Sequence, residues 1–285
     1  AEPVIAVLGG LGAALAWALA TLAAARASRV LGPWSTTGLV IFVGLLVTLP
    51  LVALEAPSEP IAPADLGWLA VAGLGYAVGM IFNYTALAGG KVAVTAPIVS
   101  TEGSIAAVLA VLTGEAASPL LGLMLVLIAV GVFTVALRPS GGADTLSGAG
   151  ARFVVYAVLA ALIFGIGLYG SGRASANVPP SIVVLAGRVV GVALLTVPLA
   201  LTRRLHFRRS MLPFIVFAGV AEVIGVYSFA VGAAESIAVT SVLSTQFALV
   251  AALVAHVLGV RISPRQWAGV AAVTVGVVVI TLMRL

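Results

Sequence analysis

Residues 93–102 read AVTAPIVSTE, and residues 238–246 read AVTSVLSTQ. Ala93-Val94-Thr95 and Ala238-Val239-Thr240 lie 145 positions apart, and Ser100-Thr101-Glu102 and Ser244-Thr245-Gln246 lie 144 apart. The correspondence extends outward from this pair. Gly114 and Ser118-Pro119 match Gly259 and Ser263-Pro264 at 145, while Ala72-Gly73 matches Ala218-Gly219 and Gly79 matches Gly225 at 146. Arg26-Ala27-Ser28 matches Arg173-Ala174-Ser175 at 147, and Thr48 and Pro50 match Thr196 and Pro198 at 148. Any one pair means little in a chain with 32 glycines, but a steady offset across both halves does. The chain is a tandem repeat.

Composition says where that repeat lives. Of 285 residues, 62% are hydrophobic and 8% charged, against about a quarter charged in soluble domains. No soluble body of this size hides so much apolar side chain. A soluble enzyme or a nucleic-acid binder is excluded, and the surrounding medium is a lipid bilayer. The alternating pattern of a β-barrel is absent, so the fold class is all-α integral membrane. A spanning helix needs roughly 20 apolar residues. Ten stretches qualify: Val4–Ala25, Trp34–Leu54, Leu66–Ala88, Val92–Gly114, Pro119–Leu137, Phe153–Gly172, Pro180–Leu201, Met211–Ala233, Ile237–Val260 and Pro264–Met283. The polar run Arg138–Gly150, RPSGGADTLSGAG, separates five from five. The expected organisation is a first repeat over 1–137, a linker over 138–151 and a second repeat over 152–285. With no cysteine there is neither a disulfide framework nor a thiolate metal site, and no cofactor or metal is expected.

Five is odd, so each repeat ends on the side opposite its start, and the second copy inserts upside down. The expectation is ten transmembrane helices as two inverted-topology five-helix repeats around a central cavity. Secondary transporters use this plan, with the substrate near the midplane where the repeats meet. The charges divide by face. Loops on one side carry Arg26, Arg29, Lys91, Arg138, Arg152, Arg203, Arg204, Arg208, Arg209, Arg261 and Arg265, eleven of 14 cations. The other side has Arg173 and Arg284 with Glu2, Glu55, Glu59, Asp65, Glu115 and Glu235. The positive-inside rule then puts both termini outside the cytoplasm.

The segment Val92–Leu137, VAVTAPIVSTEGSIAAVLAVLTGEAASPLLGLMLVLIAVGVFTVAL, resembles the second half of an EamA-type domain. A proline-containing span runs into Gly114-Glu115, then a short polar turn and a glycine-rich last span. Ile237–Leu285 resembles it again, with Gly259-Val260 at the Gly-Glu position and Val242 near the place of Pro97. As two tandem copies the whole chain resembles the ten-helix branch of the drug/metabolite transporter superfamily, and within it the amino-acid exporters, including the aromatic amino-acid exporters. The resemblance implies a multi-pass protein of a bacterial inner (plasma) membrane, working as a monomer on a small-molecule substrate, with protons as a possible partner. It also implies cytoplasmic termini, the reverse of the charge count.

Ionisable groups inside spans mark working sites. Here they are Glu102, Arg188 and Glu222. Glu102 corresponds to Gln246, so the two are expected to face one cavity, with Ser100 and Ser244 just before them. Those serines, like Thr101 and Thr245, equally suit bonds to their own helix carbonyls. Tyr76 and Asn83 stand two helical turns apart on one face, Glu222 corresponds to Tyr76, and Tyr227 follows Glu222 on the same span. Trp17, the counterpart of Phe164, suits either cavity lining or packing. Arg188 suits a substrate carboxylate, an ion pair with Glu222 or Glu102, or snorkelling toward the surface. Tyr169 and Trp34 read as interfacial belt residues. Glu102 and Glu222 are the candidates for proton coupling, since desolvation disfavours a charged carboxylate.

Catalytic motifs fail. HExxH, GxSxG and a P-loop are absent, and Gly165, Gly167 and Gly170 spell GxGxxG inside an apolar helix without a preceding strand. The reading is a non-enzymatic secondary transporter exporting a small metabolite, foremost amino acids, by alternating access. Two alternatives stand beside it: a proton-coupled exporter of cationic drugs, and an integral-membrane enzyme or assembly subunit.

Overall fold

The computed structural model describes residues 2–55, 57, 60–89, 98–116 and 148–246, with scattered positions over 118–130, at 250 and over 267–279. Spans 5 and 10 and the later part of span 9 therefore lie largely outside the described residues, as does Arg138–Ser147 of the expected linker. Among the described residues all regular structure is helical. The order is α1 (Glu2–Leu31), α2 (Pro33–Leu54), α3 (Pro63–Gly89), α4 (Glu102–Leu112), α5 (Gly148–Ser175), α6 (Pro180–Gly191), α7 (Val197–Leu201), α8 (Leu212–Ala233) and α9 (Ile237–Ser244). Six of the described stretches are long and apolar enough to cross a membrane: Val4–Leu31, Pro33–Leu54, Pro63–Asn83, Arg152–Ser175, Pro180–Leu201 and Arg209–Ala233. Helix α5 begins at Gly148, within the segment expected to be linker.

Local chemistry sets the helix ends. Proline stands in the first turn of α2, α6 and α8, where its missing N–H costs nothing and its φ is already helical. Gly32 alone joins α1 to α2 at φ 79°, a left-handed conformation that glycine adopts without strain. A π-helical segment, Val192–Thr196, links α6 to α7, and the Val197 N–H reaches back to the Val192 carbonyl. Pro198 offers no N–H to the carbonyl four residues back, which relaxes the α-helical ladder at this place.

The packing follows the repeat. The most extensive helix pairs are α3 with α5 and α1 with α8. The repeat offset turns α1 into α5 and α3 into α8, so it exchanges one pair for the other. Among the other cross-repeat contacts, α2 on α6 and α4 on α9 join elements to their own counterparts. Single residues obey the same exchange. A Cβ added at Gly79 would lie 2.5 Å from Phe164, and one at Gly225 would lie 2.4 Å from Trp17. The two contacts correspond, Gly79 to Gly225 and Phe164 to Trp17. Backbones also meet at Gly75 and Gly167, where an added Cβ would stand 2.5 Å from the opposite Cα. Small residues are what allow helices in lipid to come this close.

Charge separates the two ends of the bundle. At one end Arg26 stacks on Phe214 at 5.4 Å. Beside it the Ser35 hydroxyl donates to the Arg204 carbonyl and accepts from the His206 N–H. At the other end Glu55 accepts from the Ser181 N–H at 3.3 Å and from the Tyr227 hydroxyl, and Asn177 donates to Asp65. Glu115 accepts from Ser236, Ile237 and Ala238, capping α9. The acidic end is thus tied by bonds that cross between the halves of the chain.

Candidate functional site

A cavity of about 180 Å³ lies between α1, α3, α4, α5, α6 and α8. Trp17, Tyr76, Asn83, Glu102, Arg188 and Glu222 all line it. Its apolar walls come from Phe164, Leu168, Val183, Val184, Val226 and Phe229 on the same helices. Trp17 both lines the space and stacks on Phe229, with ring centroids 6.2 Å apart. Thr21 and Ser171 add hydroxyls that the sequence reading did not single out. Thr21 is the lone threonine of its long apolar helix, which was the available signal there.

The polar centre is built around Arg188. Its side chain is 1% exposed, so it does not snorkel. Nη1 donates to the Tyr76 hydroxyl at 2.6 Å, and the guanidinium carbon stands 5.0 Å from the centre of that ring. Nη2 lies 3.6 Å from the Glu222 carboxylate. Behind it Gly44 leaves the space the side chain occupies, since an added Cβ would sit 3.1 Å from Nε. Three helices therefore hold one cation. A buried charge is tolerable only when paired and hydrogen-bonded, and both conditions are met here. Yet Nη2, buried and 3.6 Å from the Glu222 carboxylate, makes no hydrogen bond among the described residues, so it is a donor to spare beside that carboxylate. Glu102, 9% exposed on the first turn of α4, is the second carboxylate of the cavity.

Four expected residues stand elsewhere. Gln246 is 1% exposed and absent from the lining, with Nε2 donating to the Val242 carbonyl at 3.1 Å. Its counterpart Glu102 does face the space, so the symmetry of sequence is not kept in side-chain direction. Helix α4 presses Gly103 onto Ser241 and Thr245, and that contact turns the polar end of α9 into the helix crossing. Ser244 donates to the Ser241 carbonyl, and Thr101 and Thr245 also bond three residues back. Ser100 is buried outside the lining. Tyr227 reaches Glu55 at the acidic end rather than the cavity. Tyr169 corrects the belt assignment, being buried, bonded to Thr113 at 2.9 Å and edge-on to Trp68. Glu55 and Glu115 were read only as surface charges, yet each ties the two repeats together. Among the described residues no cluster of His, Cys, Asp and Glu could hold a metal ion.

A helical bundle of paired repeats, with a charged cavity lined by apolar spans, defines a multi-pass membrane protein. The chain belongs to the EamA-like transporter family, whose profile matches it twice, over residues 4–137 and 151–282. A solved protein structure shares the fold at a TM-score of 0.81 and 22% identity, covering 98% of this chain and 96% of that one. No curated protein sequence matches the chain. The family is one of membrane transporters of small molecules.

Proposed function

We propose that the chain is a secondary transporter that exports amino acids across a bacterial inner membrane by alternating access. In this reading ten helices form two inverted five-helix repeats, over 1–137 and 152–285 with a linker at 138–151, and the protein acts as a monomer. The loop charges favour termini outside the cytoplasm. The observation that carries the reading is the guanidinium of Arg188, held by Tyr76 and Glu222 in a cavity that also presents Glu102. An amino acid needs a cation for its carboxylate, an anion for its ammonium and apolar room for its side chain. Arg188, Glu102 and the walls of Trp17, Phe164 and Phe229 supply these in turn. The exchange of helix pairs under the repeat offset supports two alternative closures of one cavity. Glu102 and Glu222 are the groups through which protons would couple. Cationic drugs fit less well, because the cavity presents a basic group, Arg188, that they cannot use.

Counterflow of radiolabelled phenylalanine, leucine and lysine in proteoliposomes, with and without a pH gradient, tests this. Saturable exchange that Arg188→Gln abolishes is the expected result. Absence of exchange for all three rejects amino acids as substrates. Unchanged gradient-driven transport in the Glu102→Gln, Glu222→Gln double variant rejects proton coupling through these groups.

A further inference from the structure

We infer that Glu222 is a built-in competitor for the substrate's carboxylate: it occupies the Arg188 guanidinium and must give it up when a carboxylate ligand binds. The inference rests on the transporter reading above and names the anionic group that its site selects.

The geometry leaves few ways to bind an anion here. Arg188 has three sides to account for. Its Nη1 is satisfied by Tyr76, its Nε edge is backed by Gly44, and Nη2 faces Glu222 at 3.6 Å without a hydrogen bond. Nη2 is therefore the donor left for a ligand, and because it is buried a ligand reaches it only where Glu222 now stands. The two side chains differ in exposure, 1% for Arg188 against 20% for Glu222. The cation is fixed from several directions, whereas the carboxylate, which also bonds Tyr76, reaches the cavity and is the more mobile partner. Tyr76 keeps the guanidinium oriented during the exchange, through its hydroxyl below one nitrogen and its ring beside the plane. It is a positioning residue.

The charges around the pair favour competition over joint binding. The other ionisable side chain facing this part of the cavity is Glu102, an acid. The remaining elements packed on α8, namely α1, α2, α5 and α9, present no cation at the level of Glu222 among the described residues. A substrate carboxylate that joined Arg188 with Glu222 still in place would put two anions on one guanidinium in a poorly solvated space, which like-charge repulsion opposes. Replacing one carboxylate by another keeps the cation neutralised throughout. The site thus selects against ligands that lack an anionic group, because an amine or ester offers nothing to displace Glu222. Selection by a group already in place is specificity by rejection as much as by attraction.

The test uses the full chain in detergent and two probes that share one aromatic body, 3-phenylpropionate and phenethylamine, measured by calorimetry. Glu222→Gln is expected to tighten 3-phenylpropionate by about tenfold, the scale of one partly screened charge pair, and to leave phenethylamine no tighter. Glu222→Asp, which keeps a carboxylate but shortens its reach, is expected to fall between wild type and Glu222→Gln. It also serves if the glutamine variant does not fold. Arg188→Gln is expected to abolish 3-phenylpropionate binding. Weakening or no change of 3-phenylpropionate in Glu222→Gln and Glu222→Asp overturns the inference, as does its survival in Arg188→Gln. Amino-acid counterflow separates the two ideas. Tightening without counterflow rejects the amino-acid reading alone, and counterflow without tightening rejects the competition alone.

Discussion

The backbone N–H of Ile237 donates to the Glu115 carboxylate at 3.1 Å. A side chain from the first repeat therefore caps a helix of the second. The same carboxylate also takes the Ala238 N–H and the Ser236 hydroxyl, and Ser236 in turn accepts from Val239. The first donors of α9 are satisfied this way, where negative charge also complements the helix dipole. Its counterpart in the second repeat is Val260, which has nothing to offer as a cap. Glu115→Ala should destabilise the protein by about 1–2 kcal/mol. A lowered melting temperature in detergent, partly restored by Glu115→Asp, checks this.

Glu55 joins α2 to the start of α6 and to Tyr227 of α8. Burial raises its carboxyl, but bonds from Tyr227 and Ser181 outweigh that and hold it below the ordinary 4.5. A depressed folded value stabilises the folded state above the unfolded value, and that stability is lost as pH falls through the folded one. The loss should therefore appear only below about pH 4.5. Tyr227→Phe should lower the melting temperature at pH 7 and reduce its further drop on acidification to about pH 3. Melting curves at the two pH values read both effects.

Gly103 presses α4 against α9, and an added Cβ would stand 2.2 Å from the Ser241 carbonyl oxygen. That neighbour is backbone, so the helices must separate to admit a methyl group. Gly103→Ala should cost about 1–3 kcal/mol. Gly67, with nothing near its would-be Cβ, is the control: Gly67→Ala should leave the melting temperature unchanged or raise it.

Removing one member of a buried ion pair strands the other. Arg188→Met should destabilise by about 2 kcal/mol, below the range for a fully buried pair because Glu222 is partly exposed. Arg188→Met with Glu222→Leu should regain most of that loss while transport stays absent. A double-mutant cycle on melting temperature, run beside counterflow, distinguishes stability from function.

Much of this was legible in the sequence because lipid leaves few options. Apolar length located the six described spans, and matched tripeptides such as Ala93-Val94-Thr95 located the repeat. Charges within spans pointed to Glu102, Arg188 and Glu222, all of which line the cavity. Side-chain direction was harder to read. In a helix apolar all round, spacing does not say which face is inward, so Tyr227 was placed with Glu222 although its hydroxyl reaches Glu55. Gln246 was placed opposite Glu102 by correspondence, yet the Gly103 contact turns it away. The bonds of Glu55 and Glu115 connect residues 126 and 122 positions from their partners Ser181 and Ile237, a distance no local pattern spans.

The π-helical turn at Val192–Thr196 also carries a record. The halves correspond at an offset of 147 at Gly44 and Gly191, and at 148 at Thr48 and Thr196. The second copy is one residue longer within that interval, which is where the backbone closes its hydrogen bond over one residue more than an α-helix does. An insertion normally rotates everything beyond it by about 100°. Here the widened turn takes up the extra residue, and Thr196 stays buried like Thr48, though it bonds Gly38 across the helix pair where Thr48 bonds Gly44 in its own helix. The two copies could diverge in length without losing their mutual fit.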